Sequence, residues 1–172
     1  VVLSNASLDE LQALVEPLFN QVPNDNIGPD YPSVPAYTDA QLPAMITSQT
    51  QKNAVRLSIA FPVPSTLPYY RTKPEQYISS MLGHEGEGSL HSLLIQRGWI
   101  ESLGVGTQSF DRNTSLISAN FELTEAGSNH VPEIMGLFFA HVDILKSVEP
   151  EAWRYNEQAK VAELAFQFQE RG

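Results

Sequence analysis

The chain has no cysteine. That excludes disulfides and thiolate chemistry, and a chain without thiols tolerates either redox compartment, so no localisation follows. Positive charge is also scarce: 10 Lys and Arg stand against 20 Asp and Glu in 172 residues, a formal net charge of −10. The basic residues are scattered and form no run. A phosphate-neutralising surface is therefore not expected, which argues against nucleic acid as a partner. The same shortage argues against an anionic membrane surface. No apolar run reaches transmembrane length, and no signal-peptide pattern is present. The acidity reads as a solubility feature.

What is present suits one domain. A chain of this size can bury roughly two-thirds of its unfolded surface, so it needs neither disulfide nor metal to fold. Val1-Val2-Leu3 starts without an initiator Met, and a helical pattern closes abruptly at Arg171-Gly172. Both ends read as cuts through a longer polypeptide, with any targeting signal upstream.

Hydrophobic spacing divides the chain into elements. Val1 to Leu3 reads as a short strand. Ser7-Leu8-Asp9-Glu10 has the capping-box pattern before the helical spacing of Leu8, Leu11, Val15, Leu18 and Phe19. Pro17 is expected to kink that helix or end its regular part. Residues 23–43 hold Pro23, Pro29, Pro32, Pro35 and Pro43, and read as an extended connector inside one domain. Residues 54–63 alternate apolar and polar, as do 114–123, and Pro62 and Pro64 should mark where the first strand leaves the sheet. Two short helices lie between, one from Pro74 and one from about Ser89 to Arg97 with Gly98 as its stop. Trp99 to Val105 reads as a third strand. Two long helices close the chain, one carrying Ile134 and Phe138, the other starting at Pro150 and carrying Trp153. Strands with one polar face predict an antiparallel sheet covered on one side. The expected fold is a two-layer α+β domain, a mainly antiparallel sheet with helices packed on one face.

The four histidines build no metal motif. His84-Glu85 opens like a zincin motif, but Gly88 stands where the second His is required. His130-Val131-Pro132-Glu133 opens like the inverted motif, but Ile134 follows. All four are better read as surface or structural histidines. No nucleophile elbow is present, and Ser89 reads as a helix cap. Gly83-His84-Glu85-Gly86-Glu87-Gly88 leads into a helix, yet its two carboxylates would repel a phosphate. The turn suits a cation instead: Glu85 could hold the free amine of a peptide terminus, or could merely complement the helix dipole. Gly104 and Gly106 leave one face of the third strand bare. On a sheet edge that strand could accept an extended peptide; a bulge or a close helix contact would explain the glycines equally well.

Residues 61–106 carry a resemblance. Phe61-Pro62-Val63-Pro64, Tyr69-Tyr70-Arg71-Thr72-Lys73-Pro74, Leu82 to Leu90 and Arg97-Gly98-Trp99 resemble the insulinase/pitrilysin family of zinc peptidases, specifically the second domain of such proteins. The flanks agree at Ser7 to Leu11 and Leu123 to Gly127, so the resemblance covers nearly the whole chain. It implies a non-catalytic domain that walls a peptide chamber. It also implies zinc in an upstream domain of the parent and no cofactor here. The implied partners are sister domains of the same polypeptide and a peptide substrate. In insulin-degrading members this domain offers an exosite for the substrate's N-terminal end. The matching positions are Gly83 and Glu85 in the turn, with Leu103 and Val105 on the strand. Glu87 stands where members often carry Pro, and Gln76, Ser79, Ser80, Val105 and Thr107 also depart from the insulin-degrading members. A backbone role survives such changes better than a side-chain role. A purely structural domain is the alternative, and an independent hydrolase using His84 and Glu85 lacks a nucleophile.

Overall fold

The computed structural model describes residues 2–26, 28, 36–49 and 55–169. The chain divides into two compact units, Val1–Ser33 and Val34–Gly172. The division falls inside the proline-rich stretch where the sequence predicts an internal connector. Pro29, Pro32 and Pro35 lie outside the described residues, as do Arg171 and Gly172.

The first unit holds one helix, α1 (Leu8–Phe19). Its capping box forms as expected: the Ser7 amide donates to Glu10 Oε2 at 2.8 Å, and the Glu10 amide donates to Ser7 Oγ at 3.4 Å. The Ser7 amide first, and then the Ser7 hydroxyl, which donates to Glu10 Oε2 at 2.8 Å, hold the Glu10 carboxyl below its ordinary range. The helix runs through Pro17 to Phe19 rather than ending before it. Val2 and Leu3 do not form the predicted strand, and Val1 lies outside the described residues. β propensity alone makes no strand without a neighbour to pair with.

The second unit is built on three antiparallel strands, β1 (Val55–Pro64), β2 (Ile100–Ser109) and β3 (Thr114–Leu123), in the order β1-β3-β2. The register aligns apolar residues across the sheet: Phe121 pairs with Leu57 and Leu103, and Ala119 with Ile59 and Val105. These residues share one face because side chains alternate along a strand. The opposite face is polar, with an Arg56–Glu122 ion pair at 3.0 Å and a Ser58–Asn120 hydrogen bond at 2.8 Å. Pro62 lies inside β1, opposite Leu116, whereas Pro64 is the strand's last residue, opposite Thr114, and ends it as expected. β1 lies at an edge of the sheet, where a residue without an N–H costs no ladder bond if it faces outward.

Helices α2 (Pro74–Leu82), α3 (Leu90–Gln96) and α5 (Val131–Lys146) cover the apolar face, joined by the one-turn α4 (Glu125–Ser128), while α6 (Ala152–Gln167) lies against α2 and buries none of its own residues. Phe121, Leu94, Ile134 and Phe138 are fully buried between the layers. Phe138 stacks on Phe61 at 6.1 Å and meets Phe121 edge-on at 5.9 Å, geometries that aromatic pairs favour. Pro132 sits in the first turn of α5, where its missing N–H has no intrahelical partner to lose. Gly127 is required: a Cβ there would strike the Trp99 carbonyl, since α4 lies directly on the backbone entering β2. The two-layer α+β arrangement therefore forms as the sequence predicts. No helix among the described residues is long and apolar enough to cross a membrane.

Candidate functional site

Two of the expected site segments meet at one point. Pro74 starts α2, and Gly83 ends it, donating its amide to the Ser79 carbonyl at 2.9 Å. A Cβ at Gly83 would lie 3.1 Å from that carbonyl and 3.5 Å from the Val105 side chain. The absent side chain lets the end of α2 approach β2 closely. The acidic turn then follows. Gly88 takes φ +80, which suits glycine. Ser89 caps α3 by accepting the Ser92 amide at 3.0 Å. Gly86 lies against the His84 ring. Glu85 is exposed and has no hydrogen bond or ion pair among the described residues. Its carboxylate is available to a ligand cation.

β2 is an edge strand, with β3 on one side and no strand on the other among the described residues. The bulge in this strand lies between Ile100 and Ser102, not at the glycines. Gly104 and Gly106 have open space where a Cβ would be, so no helix packs on them. Of the explanations open at the sequence level, a bare strand face on a free edge is the one found. Leu103 is 4% exposed and belongs to the core, and Val105 packs against that core beside Gly83. Both side chains are therefore committed to packing. What Leu103 and Val105 can offer a peptide is backbone, which suits strand addition.

Sequence reasoning missed a cavity of about 540 Å³ beside this edge, between α2, β2 and α6. Glu75, Ser79 and Thr107 line it, and each also has a buried side-chain oxygen without a hydrogen-bond partner among the described residues. Such atoms are rare in folded proteins and call for an explanation. The signal was present in the spacing. Glu75 and Ser79 stand four apart on one helix face, and Thr107 shares the strand face of Leu103 and Val105.

The histidines do not converge. His130 stacks on Trp99 at 4.4 Å and lies 3.3 Å from Glu133, while His91 and His141 each bury one ring nitrogen without a partner. Among the described residues no three His, Asp or Glu side chains are grouped to hold a metal. The residues present therefore do not fit a zinc ion.

Residues 1–160 match the family model for the peptidase M16 inactive domain. The chain is 32% identical over 172 residues to the peroxisomal insulin-degrading enzyme-like 1 of Arabidopsis thaliana, covering 99% of this chain and 18% of that protein. It is 33% identical to human insulin-degrading enzyme over 171 residues, covering 99% of this chain and 17% of that protein. The crystal structure of pitrilysin shares the fold with a TM-score of 0.82 at 21% identity, over 98% of this chain and 18% of that one. The chain thus spans less than a fifth of the length of these relatives.

Proposed function

The chain belongs to the peptidase M16 family, the insulinase and pitrilysin group, as its inactive domain, and from that premise we propose that it holds peptide substrate for a zinc metalloendopeptidase without performing the hydrolysis. The observation that carries this reading is the meeting of Gly83 with Val105 at the free edge of β2. An extended peptide would pair its backbone with β2, and its amino terminus would reach the unpaired Glu85 carboxylate. Zinc and the attack on the scissile bond belong to other parts of the parent polypeptide, which are also its partners. Exposed apolar residues such as Trp153, Val161, Leu164 and Phe166 on α6 suit packing against sister domains. That packing serves a substrate-holding domain and a purely structural one alike.

The test uses the full polypeptide that carries this domain and an extended peptide labelled at its carboxyl end. Glu85→Gln, or acetylation of the peptide amine, is expected to weaken binding about tenfold, the size of one lost charge-assisted hydrogen bond. N-methylation of the peptide backbone is expected to abolish strand pairing. Affinity indifferent to all three changes would leave only the structural role. The 172-residue chain alone is expected to bind no stoichiometric zinc and to cleave no peptide; tight zinc in equilibrium dialysis would contradict the assignment.

A further inference from the structure

Glu75, Ser79 and Thr107, each with a buried side-chain oxygen that has no partner among the described residues, line one cavity from two elements, α2 and the edge strand. A buried carboxylate oxygen without a donor is costly, and the natural relief is a cation with N–H groups to give. No Lys or Arg of the described residues is paired with Glu75, and no donor among them reaches its buried Oε2. Lys73 lines the same cavity, but it is an exposed residue, so solvent screens its charge while the buried oxygen stays unscreened. The two hydroxyls can accept from the same cation beside Glu75.

The position of the cavity says which cation. Gly83, at the Glu85 end of α2, touches Val105, whereas Glu75, at the other end, faces the stretch of β2 that includes Thr107 and Ser109. Eight residues of helix separate Glu75 from Gly83, a rise of about 12 Å. An extended peptide covers that distance in about four residues. We propose that Glu75, Ser79 and Thr107 form a subsite for a basic side chain, Lys or Arg, about four residues from the amino end of the bound peptide. The subsite rests on the substrate-holding reading and adds sequence preference to a contact otherwise made by backbone. It is separate from the Glu85 turn, which takes the terminal amine.

Its test uses the full polypeptide and three carboxyl-labelled peptides that differ only at the third to fifth residues, carrying Lys, norleucine or Glu in turn. The Lys peptide is expected to bind about tenfold tighter than the norleucine peptide, and the Glu peptide weakest. Glu75→Gln should erase the difference between Lys and norleucine. Thr107→Val, close in shape, should remove part of the preference and guards against a fold defect in the first variant. No preference in the unaltered protein, or a preference that survives Glu75→Gln, would overturn the subsite. The norleucine peptide separates the two readings. If backbone methylation weakens it but lysine adds nothing, only the subsite fails. If backbone methylation has no effect on any peptide, the substrate-holding reading fails and the subsite with it.

Discussion

Ser115 and Ser79 both bury a hydroxyl within the second unit, and they differ in whether that hydroxyl is satisfied. Ser115, on β3, is fully buried and accepts the Thr66 amide at 3.1 Å, with the Thr66 hydroxyl 3.3 Å away. Ser79, on α2, has no partner, and neither do Glu75 Oε2 and Thr107 Oγ1 across the same cavity. Around Phe121 and Phe138 the sheet and helices close on one another with rings in favourable contact. Along α2 and the free edge of β2, polar atoms are buried without being satisfied. The centre of the sheet is closely packed, whereas the edge leaves three buried oxygens without a partner among the described residues.

Variants can break this contrast, and their expected effects fall in order. Phe138→Ala removes a fully buried ring that touches both Phe61 and Phe121. It should cost about 3–5 kcal/mol in denaturant unfolding. Ser115→Ala strands the Thr66 amide and should cost about 1–2 kcal/mol. Ser89→Ala removes the cap on α3 and should cost about 1 kcal/mol. Ser79→Ala is the sharpest case: it breaks no hydrogen bond and improves helix propensity, so stability should hold or rise by about 0.5 kcal/mol. A loss above about 1 kcal/mol there would mean that the hydroxyl has a structural partner, and the contrast would fail.

The smallest effect is electrostatic and concerns Glu133. Its own backbone amide, then His130, holds the carboxyl below the ordinary 4.5. A carboxyl depressed in the folded state adds stability above its unfolded pKa and loses it as pH falls through the folded one. Melting temperature followed from about pH 6 to pH 3 should therefore show the gap between the unaltered protein and Glu133→Gln closing below about pH 4.5. A gap constant across that range would mean that neither the Glu133 amide nor His130 holds the carboxyl down in the folded state.

Much of the stable half was legible from the sequence because its signals are local. Alternation marked β1 and β3, and the capping patterns at Ser7 and Ser89 and the stop at Gly98 are each set within a few residues. Pro64 ends β1 as expected, but Pro62 misled because a proline's meaning depends on whether its strand is an edge, which long-range pairing decides. α4 escaped because four residues carry no periodicity. The turn at Gly83 and Glu85 and the strand at Leu103 and Val105 were each visible as segments. That Gly83 touches Val105, and that Leu103 turns into the core, depended on how α2 lies on β2. Ser79 and Thr107 stood out in the sequence only as departures from insulin-degrading relatives, and Glu75 not at all. Their convergence on one cavity is a property of packing.

The most direct test of the substrate-holding edge is amide hydrogen exchange on the full polypeptide, with and without an extended peptide. Strand addition predicts new protection within Leu103 to Ser109 and around Gly83, and none when the peptide carries backbone N-methyl groups. Unchanged exchange in β2 at saturating peptide, or equal protection from the methylated peptide, would contradict it.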